Sequence, residues 1–100
     1  MAILFITEFA EEQIGPSGRV GQMPLEPPIA EQIVTFTSSS QSSAFNSKTR
    51  FVRLHTDTNC FLVFGTNPTA VSSTSGRLAA GQTEYRGVPL NQAFKVAVTT

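Results

Sequence analysis

Cysteine is almost absent from this 100-residue chain: Cys60 stands alone. No internal disulfide and no thiol-based zinc cluster can form. Cys60 sits beside Phe61, Leu62 and Phe64, a setting that reads as a small buried hydrophobe. Tryptophan is missing and Tyr85 is the only tyrosine, which leaves little of the exposed aromatic surface that a sugar-binding face uses. There is one histidine, His55, and one aspartate, Asp57, so general acid–base chemistry has few groups to draw on. Asp57 and Asn59 lack the further carboxylates of a calcium loop. No Gly-x-Gly-x-x-Gly or Walker-type loop is present, and the glycines of 15–21 lie among prolines with no lysine. We therefore assign no catalytic, cofactor-binding or metal-ligating residue and expect neither an enzyme nor a small-molecule substrate. The chain lacks an apolar run of about 18 residues and a charged leader with a hydrophobic stretch. Neither a membrane partner nor a signal peptide is expected, and the protein is expected to be made in a cytoplasm.

Charge is also scarce: 14% of residues are charged, against roughly 25% in ordinary domains. Ser, Thr, Asn and Gln supply the polar surface instead, a composition suited to packing against other proteins. The net charge is zero, so no basic field invites nucleic acid. The charges are nonetheless divided. Residues 1–31 carry a net −4, from Glu8, Glu11, Glu12, Glu26 and Glu31 against Arg19, and residues 32–100 carry +4. Such a chain can dock head to tail, or fold its acidic front onto its basic body; fourteen charges can also divide this way by chance.

What is present is β-forming. Met1–Phe9, Glu31–Thr37, Thr49–Thr56, Cys60–Phe64, Arg77–Ala80, Glu84–Val88 and Phe94–Thr99 are rich in β-branched and aromatic residues between turn signals. In Thr49–Thr56, Val52 and Leu54 point one way, and Phe51, Arg53 and His55 the other. Asp57-Thr58-Asn59 is a tight polar turn, so Thr49–Thr56 and Cys60–Phe64 read as a hairpin. The second of these is apolar on both faces, as a covered central strand is. His55, Asp57 and Cys60 crowd around this turn, and a Cys–His pairing is conceivable, but the apolar neighbours of Cys60 favour a buried thiol. Lys48, Arg50 and Arg53 with Phe51 and Phe61 suggest a basic-aromatic face for single-stranded nucleic acid, which the alternation of Arg50 and Phe51 splits. The one helical candidate, Phe9–Ile14, is too short to stand alone.

Residues 10–30 hold four prolines and three glycines, which exclude a continuous helix or central strand. They read as an extended arm lying over something, or as a surface loop. The fold expected is all-β: one small antiparallel β-sandwich or jelly-roll-like domain over residues 1–100, with an extended N-terminal arm.

The blocks Ile6-Thr7-Glu8-Phe9, Ser43-Ala44-Phe45-Asn46-Ser47-Lys48-Thr49-Arg50-Phe51-Val52-Arg53, Thr56-Asp57-Thr58-Asn59-Cys60, Phe64-Gly65-Thr66-Asn67-Pro68-Thr69-Ala70 and Leu78-Ala79-Ala80-Gly81-Gln82-Thr83-Glu84 resemble small proteins encoded among the structural genes of tailed bacteriophages. The likeness covers most of residues 3–98 and is weakest in the arm. It implies a virion protein, most like a head decoration (cement) protein, that clamps major capsid protein subunits noncovalently and is itself a homo-oligomer, a trimer or dimer. The rival readings are a head–tail connector or tail protein, and a polysaccharide- or single-stranded-nucleic-acid-binding module. Attachment by β-augmentation would use the first strand, the arm or the last strand (Phe94–Thr100). The candidate partner-binding residues are accordingly Ile3, Phe5, Glu8, Glu11, Glu12, Pro24 and Pro27, with Arg50 and Arg53 from the basic body.

Overall fold

A computed structural model of the chain describes residues 2–14, 20–24 and 26–100. Of the glycine-rich stretch 15–21, residues 15–19 lie outside the described residues, and residues 20–21 belong to a strand. Among the described residues ten strands follow in order: β1 (Ala2–Phe9), β2 (Glu12–Ile14), β3 (Val20–Pro24), β4 (Ala30–Phe36), β5 (Ser40–Gln41), β6 (Phe51–Thr56), β7 (Cys60–Gly65), β8 (Gly76–Leu78), β9 (Thr83–Gly87) and β10 (Lys95–Thr99). They form two four-stranded sheets, β4-β1-β6-β9 and β5-β10-β7-β8, and a separate two-stranded ribbon, β2-β3. Every pairing is antiparallel. The helical candidate at Phe9–Ile14 is overturned: Glu12–Ile14 is a strand paired with Val20–Pro24.

The alternation in the sequence sets which side chains go inward. Leu4, Ile6, Val34, Phe36, Val52 and Leu54 of the first sheet meet Cys60, Leu62, Leu78, Val96 and Val98 of the second, and Phe45 inserts from the connection between β5 and β6. No buried side-chain nitrogen or oxygen among the described residues lacks a hydrogen-bond partner, so the core closes without an orphaned polar group.

One sequence expectation is corrected by this arrangement. β6 and β7 are not a hairpin. β6 pairs with β1 and β9, so both of its edges are occupied, and β7 lies in the opposite sheet between β10 and β8. The turn at 57–59 is an arch that carries the chain from one sheet to the other. The inward rows of the two strands, Val52, Leu54 and Thr56 against Cys60 and Leu62, are buried; a hairpin would set those rows side by side instead of across the core. Buried Thr56 stabilises the reversal locally, its Oγ1 donating to Thr58 O at 2.6 Å and accepting Thr58 N–H at 3.2 Å. A polar three-residue turn serves a hairpin or an arch equally well, which is why the local signal did not separate them. The outer face of β7 is only partly covered, since Phe61 and Val63 are half-buried.

Candidate interaction surface

Three surfaces take shape from these elements. The first is the outer face of the β4-β1-β6-β9 sheet. Pairing sets Ile33, Phe5, His55 and Thr83 in one row and Glu31, Thr7, Arg53 and Tyr85 in the next. Phe5 is 40% exposed, Ile33 63% and Tyr85 51%. Of the candidate residues, Ile3 and Phe5 belong here, and Arg53 holds its guanidinium 5.4 Å from the centroid of the Phe9 ring, a cation–π arrangement. Phe9 is itself fully buried, stacked on Phe51 at 5.3 Å.

The second surface is a groove of about 990 Å³ between the ribbon and the end of the β6–β9 pair. Glu11, Glu12, Met23, Pro24 and Glu26 line one side, and Arg50, Phe51, Tyr85, Arg86 and Gly87 the other. The structure thus brings candidates Glu11, Glu12, Pro24 and Arg50 together. Arg50 precedes the regular strand, so it shares the groove with Phe51 although simple alternation had separated them. Met23, Glu26, Tyr85, Arg86 and Gly87 were not singled out as partner-binding residues, and Phe51 was named only within the basic-aromatic face; the hint at Tyr85 was an isolated tyrosine on a strand with polar neighbours. Pro27 lies exposed in the connection to β4, outside the groove lining.

The third surface is made of strand edges, and here two expectations are corrected. β1 and β10 are central strands, each flanked on both sides, so neither offers a free edge for augmentation. The sheet edges are β4, β9, β5 and β8. Pairing between sequence-distant strands put the chain's first and last strands in the middle, and no local pattern carries that information.

Glu8 is turned away from all three surfaces. It is 2% exposed, and its carboxylate accepts Asn46 N–H at 2.8 Å, Thr49 Oγ1–H at 2.7 Å and Gln32 Nε2–H at 3.2 Å. Its partners belong to its own chain: it ties β1 to the 46–49 turn and to β4.

The crowd of His55, Asp57 and Cys60 is dispersed. His55 lies on the outer face, with Nδ1 2.9 Å from Thr83 Oγ1 and its ring 6.2 Å from Phe5. Cys60 is fully buried in the core. Burial pushes its thiol upward, opposed by a hydrogen bond with Thr56. Thiol reagents are therefore expected to modify Cys60 only when the protein opens. Labelling followed through a urea titration should track unfolding; prompt modification of the native protein would contradict the buried placement.

Asp57 acts as a latch for the first strand. Its Oδ1 accepts Ile3 N–H at 2.8 Å and Thr58 Oγ1–H at 3.0 Å. The Ile3 bond, the largest cause, holds the carboxyl below its ordinary value of 3.8. A carboxylate depressed in the folded state adds stability above its unfolded pKa and loses it as pH falls through the folded one. Asp57→Asn is thus expected to flatten the acid side of the stability–pH profile below the ordinary carboxylate range and to leave its neutral-to-basic shape unchanged. Parallel acid limbs in the two proteins would show that the latch contributes nothing.

Among the described residues, no three His, Cys, Asp or Glu side chains converge to hold a metal ion. Comparison with protein-family models, with curated proteins and with solved structures matches this chain to none of them.

Proposed function

We propose that this protein is a structural subunit of a tailed-bacteriophage particle, a head decoration (cement) protein whose sandwich is the body and whose ribbon is the arm that reaches neighbouring capsid subunits. The observation that carries this reading is the ribbon itself. β2 and β3 pair with each other and with no strand of either sheet, and the ribbon side of the groove presents Glu11, Glu12 and Glu26 to solvent. An acidic two-stranded ribbon outside both sheets suits contact with a basic neighbour.

The strand order supports a jelly-roll reading of the body. The pairs β7–β8, β6–β9 and β5–β10 nest within one another along the chain, as in a long hairpin rolled into two sheets. The fourth pair, β4–β1, completes the roll with a strand taken from the start of the chain in place of one after β10. Thr100 Oγ1 donates to Thr37 O at 2.8 Å and Ala2 pairs with Phe36, so the two routes meet at the same corner. Jelly rolls are common in virus capsids, and the resemblance of the quoted blocks to phage structural proteins points the same way.

The test is attachment. Ile29 N–H donates to Glu8 O at 2.9 Å and β4 begins at Ala30, so a clean deletion removes residues 12–25 and spares 26–30. Bridged by a short Gly-Ser link, this variant is expected to keep its cooperative unfolding, with the midpoint shifted by a few degrees at most, and to lose occupancy on capsids in a co-sedimentation assay. Full occupancy without the ribbon removes the arm from the proposal. Immunogold labelling of purified particles that finds the protein on tails, or not at all, removes the head assignment.

A further inference from the structure

We infer that β9 is a self-recognition edge through which two copies join about a two-fold axis at Tyr85, extending the first sheet across the pair. This stands on the geometry of one strand and does not rest on the particle reading.

Two of the four sheet edges are short. β5 and β8 span only two and three residues. β4 spans seven residues, and the side-chain amide of Gln32 on it accepts Ser43 N–H at 2.9 Å and donates to Ser43 O at 3.3 Å. β9 spans five residues, and among the described residues no strand pairs with its outer edge. Bare edges of this kind invite pairing.

The hydrogen-bonding phase of β9 follows from its neighbours. Asp57 N–H donates to Ile3 O at 3.3 Å, and Val88 N–H donates to Arg50 O at 2.9 Å. With the β1–β6 and β6–β9 registers, alternation turns the backbone groups of Glu84 and Arg86 toward β6. Those of Thr83, Tyr85 and Gly87 turn to the open side. All three of these residues are exposed, and Tyr85 and Gly87 also line the groove whose other wall is the ribbon.

A second copy fits this edge in one register. With Tyr85 opposite the partner's Tyr85, Thr83 faces the partner's Gly87 and Gly87 faces the partner's Thr83. Every outward N–H and C=O then meets its complement in a hydrogen-bonded pair. The intervening non-hydrogen-bonded positions, where side chains approach most closely, set Glu84 against the partner's Arg86 and Arg86 against the partner's Glu84. In the single chain these two side chains bridge each other, Arg86 Nη2 to Glu84 Oε1 at 2.7 Å, so both are already held on one face of the strand. Sliding the partner by one residue either way sets each outward N–H and C=O opposite a residue whose own backbone groups point away. A slide that shifts the centre to Glu84 or Arg86 sets like charges opposite one another. The charge pattern therefore admits the Tyr85-centred pairing and opposes its neighbours, and the result is isologous and closed, not an open filament. Edge pairing alone buries less than a standard interface, so the association is expected to be weak, in the micromolar range or above.

Sedimentation equilibrium of the full chain over a concentration series reads this directly, with expected monomer–dimer behaviour. Glu84→Arg and Arg86→Glu should each raise the dissociation constant about tenfold or more. An equimolar mixture of those two variants should recover wild-type affinity, because each then meets its opposite charge. Tyr85→Pro removes an outward N–H, which an edge strand tolerates, along with a half-exposed ring 6.4 Å from Phe51, and should give a folded monomer. Should that variant unfold, Tyr85→Cys in a Cys60→Ala background is the second measurement. Cα atoms roughly 5.5 Å apart in a hydrogen-bonded pair lie within disulfide reach, and oxidation should produce a covalent dimer faster than a cysteine placed at exposed Thr66. A wild-type protein monomeric up to millimolar concentration overturns the inference, as does failure of the mixed charge variants to recover affinity. Monomeric protein that binds an unrelated strand at β9 overturns it equally.

Discussion

Replacement of Glu8 by alanine is expected to destabilise the protein by about 3 kcal/mol, read as a lower urea midpoint at unchanged slope. The carboxylate is 2% exposed and takes bonds from Asn46 N–H, Thr49 Oγ1–H and Gln32 Nε2–H. Removing it strands the Thr49 hydroxyl, on a residue that is 1% exposed, and the Asn46 amide. The cost is the desolvation of those donors more than the loss of the bonds themselves, since an unmade buried hydrogen bond costs about 1–3 kcal/mol per group. Glu8→Gln keeps an acceptor oxygen but sets an amide N–H₂ near the same donors, and should lose roughly half as much. A double-mutant cycle with Thr49→Val isolates the pair: Glu8→Ala should cost less by about 1 kcal/mol or more in the Thr49→Val background. If Glu8→Ala instead leaves stability intact and weakens partner binding, Glu8 belongs to an interface after all and the inward placement is wrong.

Leu54→Ala is expected to cost about 2–5 kcal/mol, a large share of the roughly 5–15 kcal/mol that holds a domain together. Leu54 is fully buried on β6, the strand flanked by β1 and β9 that faces the second sheet across the core. The spread in cost reflects how far β1 and β7 can settle into the cavity. Ile33→Ala is the matched control: this side chain is 63% exposed on the outer face of the same sheet, and its truncation should change stability by about 0.5 kcal/mol or less. Equal losses at the two positions in chemical denaturation would mean that the outer face is covered in solution, and Leu54→Ala without loss would contradict the assignment of the inward row.

Period-two patterning located seven of the ten strands. It placed Val52 and Leu54 on one face of β6 and Phe51, Arg53 and His55 on the other, as found. It missed β5, whose Ser40-Gln41 has no apolar member, and it missed the ribbon, where proline and glycine counts hid two short strands. The site was less legible. Glu11, Glu12, Pro24 and Arg50 were named from charge and composition, and the structure sets them around one groove. Phe51, Tyr85 and Arg86 complete that groove only because β6 and β9 pair across about thirty intervening residues. Glu8 is the sharpest case: its charge suggested a partner, and its neighbours at 46–49 turned it into an internal anchor.

The sequence by itself determined the class of this protein. One cysteine, scarce charge, no amphipathic helical stretch and alternating apolar residues between turn signals leave an all-β domain as the way to bury its aliphatic and aromatic side chains, because alternation is a local property of a strand. Tertiary structure alone decided which strands are central, which edge is bare, and whether the turn at 57–59 makes a hairpin or an arch. Those outcomes depend on which distant strands compete for the same backbone hydrogen bonds, and β1 and β9 occupy both edges of β6, which leaves none for β7.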